Sequence, residues 1–224
     1  MTQHSSLFEK FTHASSLDMQ TLVSDLSTCS QPALNVRTIL EDSKQVLDQL
    51  YLANEDIRQL IEVKSKLMDY ILKGLWARFG FDQHVSLIAV GGYGRGELQP
   101  HSDIDLLILV RNEINDQLGT KLSDFITLLW DLKLDIGHSV RTIDECIEAA
   151  KSDVTIATNL LETRTIDGDP ELLSIISDKV YSDAVYTSKA YFLAKREEQS
   201  ARHLKYSGTE YNLEPNLKLS LIHI

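Results

Sequence analysis

Apolar residues recur at two different periods along this chain, and the change between them marks out its architecture. From Asn35 onward, Val36, Ile39, Leu40, Val46, Leu47, Leu50 and Tyr51 fall mostly three and four residues apart, the spacing of one helix face. A second helix is predicted over about 54–79. Its apolar face carries Ile57, Leu60, Ile61, Leu67, Met68, Ile71, Leu72 and Leu75, and Gly80 is its stop signal. The period then shortens. Val85 to Val90 reads as a strand ending in Gly91-Gly92, followed by a turn or short helix over 92–97 and a loop over 98–102 that holds Pro100. Ile104 to Val110 is almost continuously apolar, as in a strand covered on both faces. Leu118, Leu122, Phe125, Ile126 and Leu129 return to helical spacing over 115–132, and Lys133 to Thr142 alternates as a third strand.

The remainder is mainly helical. Thr142 with Glu145 three residues on reads as a capping box for a helix over 143–151, and another helix is predicted over 153–161. Thr163–Asp167 reads as a short strand before the turn Asp167-Gly168-Asp169-Pro170. Pro170 suits the first turn of a helix reaching about Tyr181, and a last helix spans about 188–206. The charged run Lys195-Arg196-Glu197-Glu198 on that helix reads as a solvated face. Residues 1–34 are polar and Ser/Thr-rich, and predict a short helix or a poorly ordered arm. The chain thus divides into a polar arm (1–34), a helical segment (35–80), a core (81–168) and a C-terminal helical segment (169–224), with no internal repeat.

Composition narrows the function classes. A net charge of −11 argues against nucleic acid as a partner, because that affinity comes largely from Lys and Arg on phosphates. Cys29 and Cys146 stand alone without CxxC spacing, so both read as reduced thiols of a cytoplasmic protein. The first residues, MTQHSSLFEKFTHASS, hold no apolar signal region, and the apolar runs are too short to span a bilayer.

The candidate chemistry concentrates in GGYGRGELQPHSDIDLLIL, residues 91–109. Asp103 and Asp105, at i and i+2 on a strand, point to one face. Asp135 on the next predicted strand supplies a third acid, with the helical Asp131 as its competitor for that role. Three converging carboxylates repel one another unless a cation sits between them, and Mg²⁺ favours a few carboxylates plus phosphate oxygens. Gly91, Gly92, Gly94 and Gly96 offer a turn whose backbone N–H groups suit an anion. No G-x-x-x-x-G-K-[ST] is present, and proline interrupts what a dinucleotide fingerprint would continue as helix. Arg95 either contacts phosphate or pairs with a nearby acid such as Glu97. Ser102 is either a cap or a polar ligand beside the metal. Arg141, on the face shared by Asp135, Gly137 and Ser139, could reach a triphosphate. His138 points to the other face and reads as a core histidine, so a Ser–His–Asp hydrolase arrangement fails.

GGYGRGELQPHSDIDLLIL resembles the signature of nucleotidyltransferases with the DNA polymerase β fold. LLWDLKLDIGHSVRTIDECIEAAKSDVTIATNLLETR and KREEQSARHLKYSGTEYNLEPN are similar to the N-terminal domain of the bacterial PII uridylyltransferase/uridylyl-removing family. The resemblance covers about residues 35–216. It implies an α+β fold with a small mixed sheet flanked by helices, and Mg²⁺-dependent transfer of UMP from UTP to a tyrosine of the PII nitrogen-regulatory protein. The expected mechanism is a two-metal displacement in which Asp103 and Asp105 hold both Mg²⁺ ions, and Asp135 holds the metal on the nucleophile side and helps to deprotonate the tyrosine. Gly91, Gly92 and Gly94 would hold the β- and γ-phosphates, with Arg95 compensating charge. The family's HD-type hydrolase and ACT domains would lie beyond this chain, whose last residues, 217–224, depart from the family pattern. An adenylyl-transferring or antibiotic-modifying enzyme of the same fold, and a catalytically weak nucleotide-binding fragment, remain alternatives.

Overall fold

The computed structural model describes residues 6–182 and 185–205. The expectations for residues 1–5, for GTEYNLEPN and for 217–224 lie outside the described residues. Strands β1 (Val85–Val90), β2 (Ile104–Val110), β3 (Ile136–Thr142) and β4 (Thr163–Asp167) form one mixed sheet in the order β3-β2-β1-β4. β1 pairs antiparallel with β2 and with β4, while β2 and β3 run parallel. The β2–β3 crossover is helix α6 (Asp116–Asp131), the connection that parallel neighbours require.

Both faces of the sheet are covered, which explains the unbroken apolar run of β2. Ile104, Leu106, Ile108 and Val110 join one cluster with Leu67, Ile71, Leu72 and Leu75 of helix α4 (Ile57–Ala77) and Phe125 of α6. Leu107 and Leu109 face the other way. They join Ile88 of β1, Cys146 and Ala150 of helix α7 (Ile143–Ser152), Leu160 of α8 (Val154–Leu161), and Leu172 and Ile176 of α9 (Pro170–Tyr181). Burying alternate residues on two helical layers stabilises each strand by roughly 1.5–3 kcal/mol per large side chain. Helix α10 (Ser188–Lys205) lies outside this second layer, its Tyr191 hydroxyl 2.9 Å from Thr158 Oγ1.

In the N-terminal region the helical alternative is the one realised, with two helices where one was expected: α1 (Leu7–Ser15) and α2 (Met19–Thr28), the first closed by a Ser6/Glu9 capping box and the second capped by Asp18. Their buried residues are few: Leu7 and Phe11, then Met19, Leu22 and Leu26. Those stripes are too narrow to stand out among the serines and threonines, yet they join the main cluster. α2 lies against α4 because Gly74 has no side chain; a Cβ there would come 2.7 Å from Leu26 Cβ. Arg78 donates to the carbonyls of Leu26 and Cys29, both at 2.9 Å, and so satisfies the end of α2. Helix α3 (Pro32–Leu52) adds Val36 to the same cluster. The segment drawn as residues 35–80 therefore buries its apolar face in the core of the sheet itself.

Candidate active site

β1 ends at Val90, and the chain reverses into a single helical turn, α5 (Gly91–Gly94). Gly91 begins it with φ +61, a left-handed conformation that suits glycine. Gly94 has a different reason to be glycine. A Cβ there would fall far inside 3.0 Å of the Glu162 carbonyl oxygen, so α5 packs directly on the chain leaving α8. A Cβ on Gly92 would meet only ordinary contacts, the nearest being the Glu97 carbonyl at 3.7 Å.

Helix α4 holds this turn from beneath. Tyr93, 2% exposed, donates its hydroxyl to Asp69 Oδ1 at 2.6 Å. Arg164 of β4 pairs with the same carboxylate, donates to the Tyr93 carbonyl at 3.1 Å, and lies over the Tyr93 ring at 5.3 Å. Burial, reinforced by the Asp69 charge, pushes the Tyr93 phenol well above its ordinary range. Buried Ser65 accepts from Leu98 N–H at 3.0 Å and lies 2.7 Å from the Gly96 carbonyl oxygen. Lys64 donates to the Gln99 carbonyl at 2.9 Å. Burial lowers its ammonium pKa. Sequence reasoning missed this bracing. The available signals were Asp69, an acid beside buried Met68, and Tyr93, an aromatic set between glycines.

Register brings the acids to one sheet face. Ile104 pairs with Ile136 and Asp105 with Gly137, while Ile104 N–H donates to the Asp135 carbonyl at 2.8 Å. Asp103, Asp105 and Asp135 therefore share the face of Leu107 and Leu109. Asp135 stands just before β3, which begins at Ile136 and not at Lys133 as the alternation suggested. Asp103 and Asp135 are exposed and Asp105 is half-buried. The Asp105 carboxylate lies between two glycines. Its Oδ2 would be 3.8 Å from a Cβ on Gly91, and its Oδ1 would be under 3.0 Å from one on Gly137. Gly137 thus leaves the room that Asp105 occupies, a role that its place in an alternating strand did not disclose.

The other expected residues are distributed less simply. Arg95 donates to Glu97 at 2.9 Å and also pairs with Glu162. Its guanidinium pKa is raised, first by the Glu97 hydrogen bond. The ion-pair alternative is the one realised, and a phosphate would have to compete with two carboxylates. Ser102 closes a turn through its backbone N–H, which donates to the Gln99 carbonyl at 3.1 Å, next to Asp103. Arg141 is not brought to the acids. It pairs with Leu109, four residues beyond Gly137, or roughly 13 Å along the strand. His138 is half-buried against the edge of Trp130 at 5.8 Å, on the opposite face from Asp135. Asp131 is exposed at the end of α6.

Among the described residues, no three His, Cys, Asp or Glu side chains form a ready metal-ligand group. What the site does offer is hard oxygen donors on one face, with a glycine-lined space for the Asp105 carboxylate. That donor chemistry suits Mg²⁺, which takes one or two carboxylates and draws its other ligands from water and substrate phosphates. Asp103 and Asp105 fit that pattern.

Residues 68–162 match the family model described as a nucleotidyltransferase domain. With the small mixed sheet and the acids set beside a glycine turn, this chain carries a nucleotidyltransferase domain of the polymerase β-like α+β class. Residues 190–221 match the model described as GlnD PII-uridylyltransferase. Three similar proteins each bear the name bifunctional uridylyltransferase/uridylyl-removing enzyme. That of Ectopseudomonas mendocina (strain ymp) is 45% identical over 196 residues, 87% of this chain and 22% of that protein. That of Stutzerimonas stutzeri (strain A1501) is 43% identical over 203 residues, 90% of this chain and 23% of that protein. That of Pseudomonas putida (strain W619) is 46% identical over 196 residues, 87% of this chain and 22% of that protein. The chain belongs to the uridylyltransferase/uridylyl-removing family and corresponds to its N-terminal part, spanning less than a quarter of these relatives' length. No helix among the described residues is long and apolar enough to cross a membrane.

Proposed function

We propose that this chain transfers UMP from UTP to a tyrosine hydroxyl of the PII signal protein, in the bacterial cytoplasm, releasing pyrophosphate. The observation that supports the reading is the parallel β2–β3 register, which brings Asp103 and Asp135 to the same end of the two strands as Asp105, whose carboxylate lies beside Gly91. The uridylyl-transferring name of the relatives and the PII-uridylyltransferase match over 190–221 support the choice of uridine as base and of PII as acceptor.

Asp103 and Asp105 would hold Mg²⁺, which supplies charge neutralisation at the phosphates when bound. Asp135 takes the proton of the incoming tyrosine, whose free pKa of about 10 keeps it protonated near neutrality. The phenolate oxygen then bonds to the α-phosphorus as the bond to the bridging α–β oxygen breaks, and pyrophosphate leaves with that electron pair. First-turn amides of Gly91 and Gly92 face the β- and γ-phosphates, and the α4 network keeps them in place without reorganisation.

The test is transfer of labelled UMP to PII by Asp103→Asn and Asp105→Asn. Both variants are expected to keep the wild-type fold and lose transfer by more than about 10²-fold. Near-normal labelling by either one overturns the assignment. Running ATP beside UTP separates an adenylyl-transferring enzyme of the same fold.

A further inference from the structure

Asn159 sits on α8, beside the start of the glycine turn and close to Asp105. Its Oδ1 would be 3.7 Å from a Cβ on Gly91, and Asp105 Oδ2 would be 3.8 Å from that same point. The two side chains therefore flank one small space at the start of α5. Asn159 is half-buried, yet its side-chain amide makes no hydrogen bond with any described residue. A half-buried amide normally spends its two donors and its acceptor on a partner. Here the capacity is unspent and faces the site.

Asn159 is also held in place, so that its orientation does not depend on a loop. The neighbouring Thr158 bonds Tyr191 of α10 at 2.9 Å. Three residues on, Glu162 pairs with Arg95 and packs its carbonyl against Gly94. α8 is thus clamped to α10 on one side and to α5 on the other. A rigid helix that aims an unpaired amide at a substrate space is how a fold pre-arranges a recognition contact.

We propose that Asn159 contacts the nucleotide, its amide holding a sugar hydroxyl of the bound nucleoside triphosphate. The inference rests on the nucleotidyl transfer proposed above. Phosphate oxygens only accept hydrogen bonds, and in this site the glycine amides face them. A hydroxyl both donates and accepts, which matches the paired carbonyl and amine of an asparagine. Held on the 2′-hydroxyl, the contact selects ribonucleotides over deoxyribonucleotides; held on the 3′-hydroxyl, it orients the sugar without that selection.

The experiment is calorimetric binding of UTP, 2′-deoxy-UTP and 3′-deoxy-UTP, each with Mg²⁺, to the wild-type chain and to Asn159→Ala. Melting temperatures check that the variant folds. Asn159→Ala is expected to weaken UTP by about 5-fold to 10-fold, the worth of one hydrogen bond. One deoxy analogue should bind the wild type more weakly by a similar factor and lose nothing further in the variant. Asn159→Asp, of the same shape but charged, should weaken UTP more than Asn159→Ala, through repulsion of the triphosphate. An unchanged UTP affinity in Asn159→Ala, with wild-type binding intact, overturns this inference alone. So does an equal loss for UTP and both analogues. A wild-type chain that binds no UTP counts against the proposed function as well.

Discussion

Gly137→Ala separates the positioning of Asp105 from the stability of the fold. The new methyl would fall under 3.0 Å from Asp105 Oδ1, whereas ordinary contact begins at 3.4 Å, so the carboxylate must retreat by roughly 1 Å. The clash is with the far end of a side chain and not with backbone, and the Asp105 Cγ would stand at 3.6 Å, already in ordinary contact. A rotation of Asp105 relieves it. Gly137 has no positive φ, so alanine suits its backbone and reduces the freedom of the unfolded chain by about 0.4–1 kcal/mol. Stability should therefore stay within about 1 kcal/mol of wild type. Activity should not, because a displacement of about 1 Å at a reacting centre can cost on the order of 10²-fold. The assay pairs urea unfolding with Mg²⁺-dependent transfer of labelled UMP. Transfer within about threefold of wild type would sink the claim that Gly137 makes room for a working Asp105, and so would an activity loss matched by unfolding.

Tyr93→Phe removes the hydrogen bond to Asp69 but leaves the Asp69–Arg164 pair, so a loss of about 1–2 kcal/mol in urea unfolding is expected; an unchanged midpoint contradicts the bracing role. Burial pushes the Cys146 thiol from 9.0 up to about 12, so the folded state retains its proton more tightly than the unfolded chain. That contribution is complete below pH 9 and is lost as pH rises from 9.0 towards 12. Thermal melts across that range should show a steeper alkaline decline for wild type than for Cys146→Ala, and parallel curves would refute the assignment.

What the sequence disclosed follows from how local each signal is. The box at Thr142 and Glu145 forms as read, because a cap depends on four consecutive residues. The turn after β4 also forms as read, with Gly168 at φ +96 and Pro170 opening α9. β2 was legible because a strand buried on both faces leaves no polar gaps. Alternation correctly assigned Asp135 and Arg141 to one face, yet it says nothing of level along the sheet. Only the parallel register shows Arg141 beside Leu109, away from the acids. For residues 1–34 the sequence left a short helix and a poorly ordered arm as alternatives, because two or three buried residues suffice when a helix packs on an existing core. The Asp69–Tyr93–Arg164 network joins residues from a helix, a turn and a strand, and no window of sequence contains all three.

The underpinning of the glycine turn by α4 bears on where this domain can be cut. The nucleotidyltransferase match begins at residue 68, inside α4, and so excludes Ser65 and Lys64. A protein trimmed to that boundary would retain every acid while the carbonyls of Gly96 and Gln99 lost their partners. It would also remove Leu60, Val63 and Leu67 from the cluster that Leu87, Leu106 and Ile108 join. The smallest autonomous unit is therefore larger than the nucleotidyltransferase match: the glycine turn comes only with the helical scaffold on which it is built.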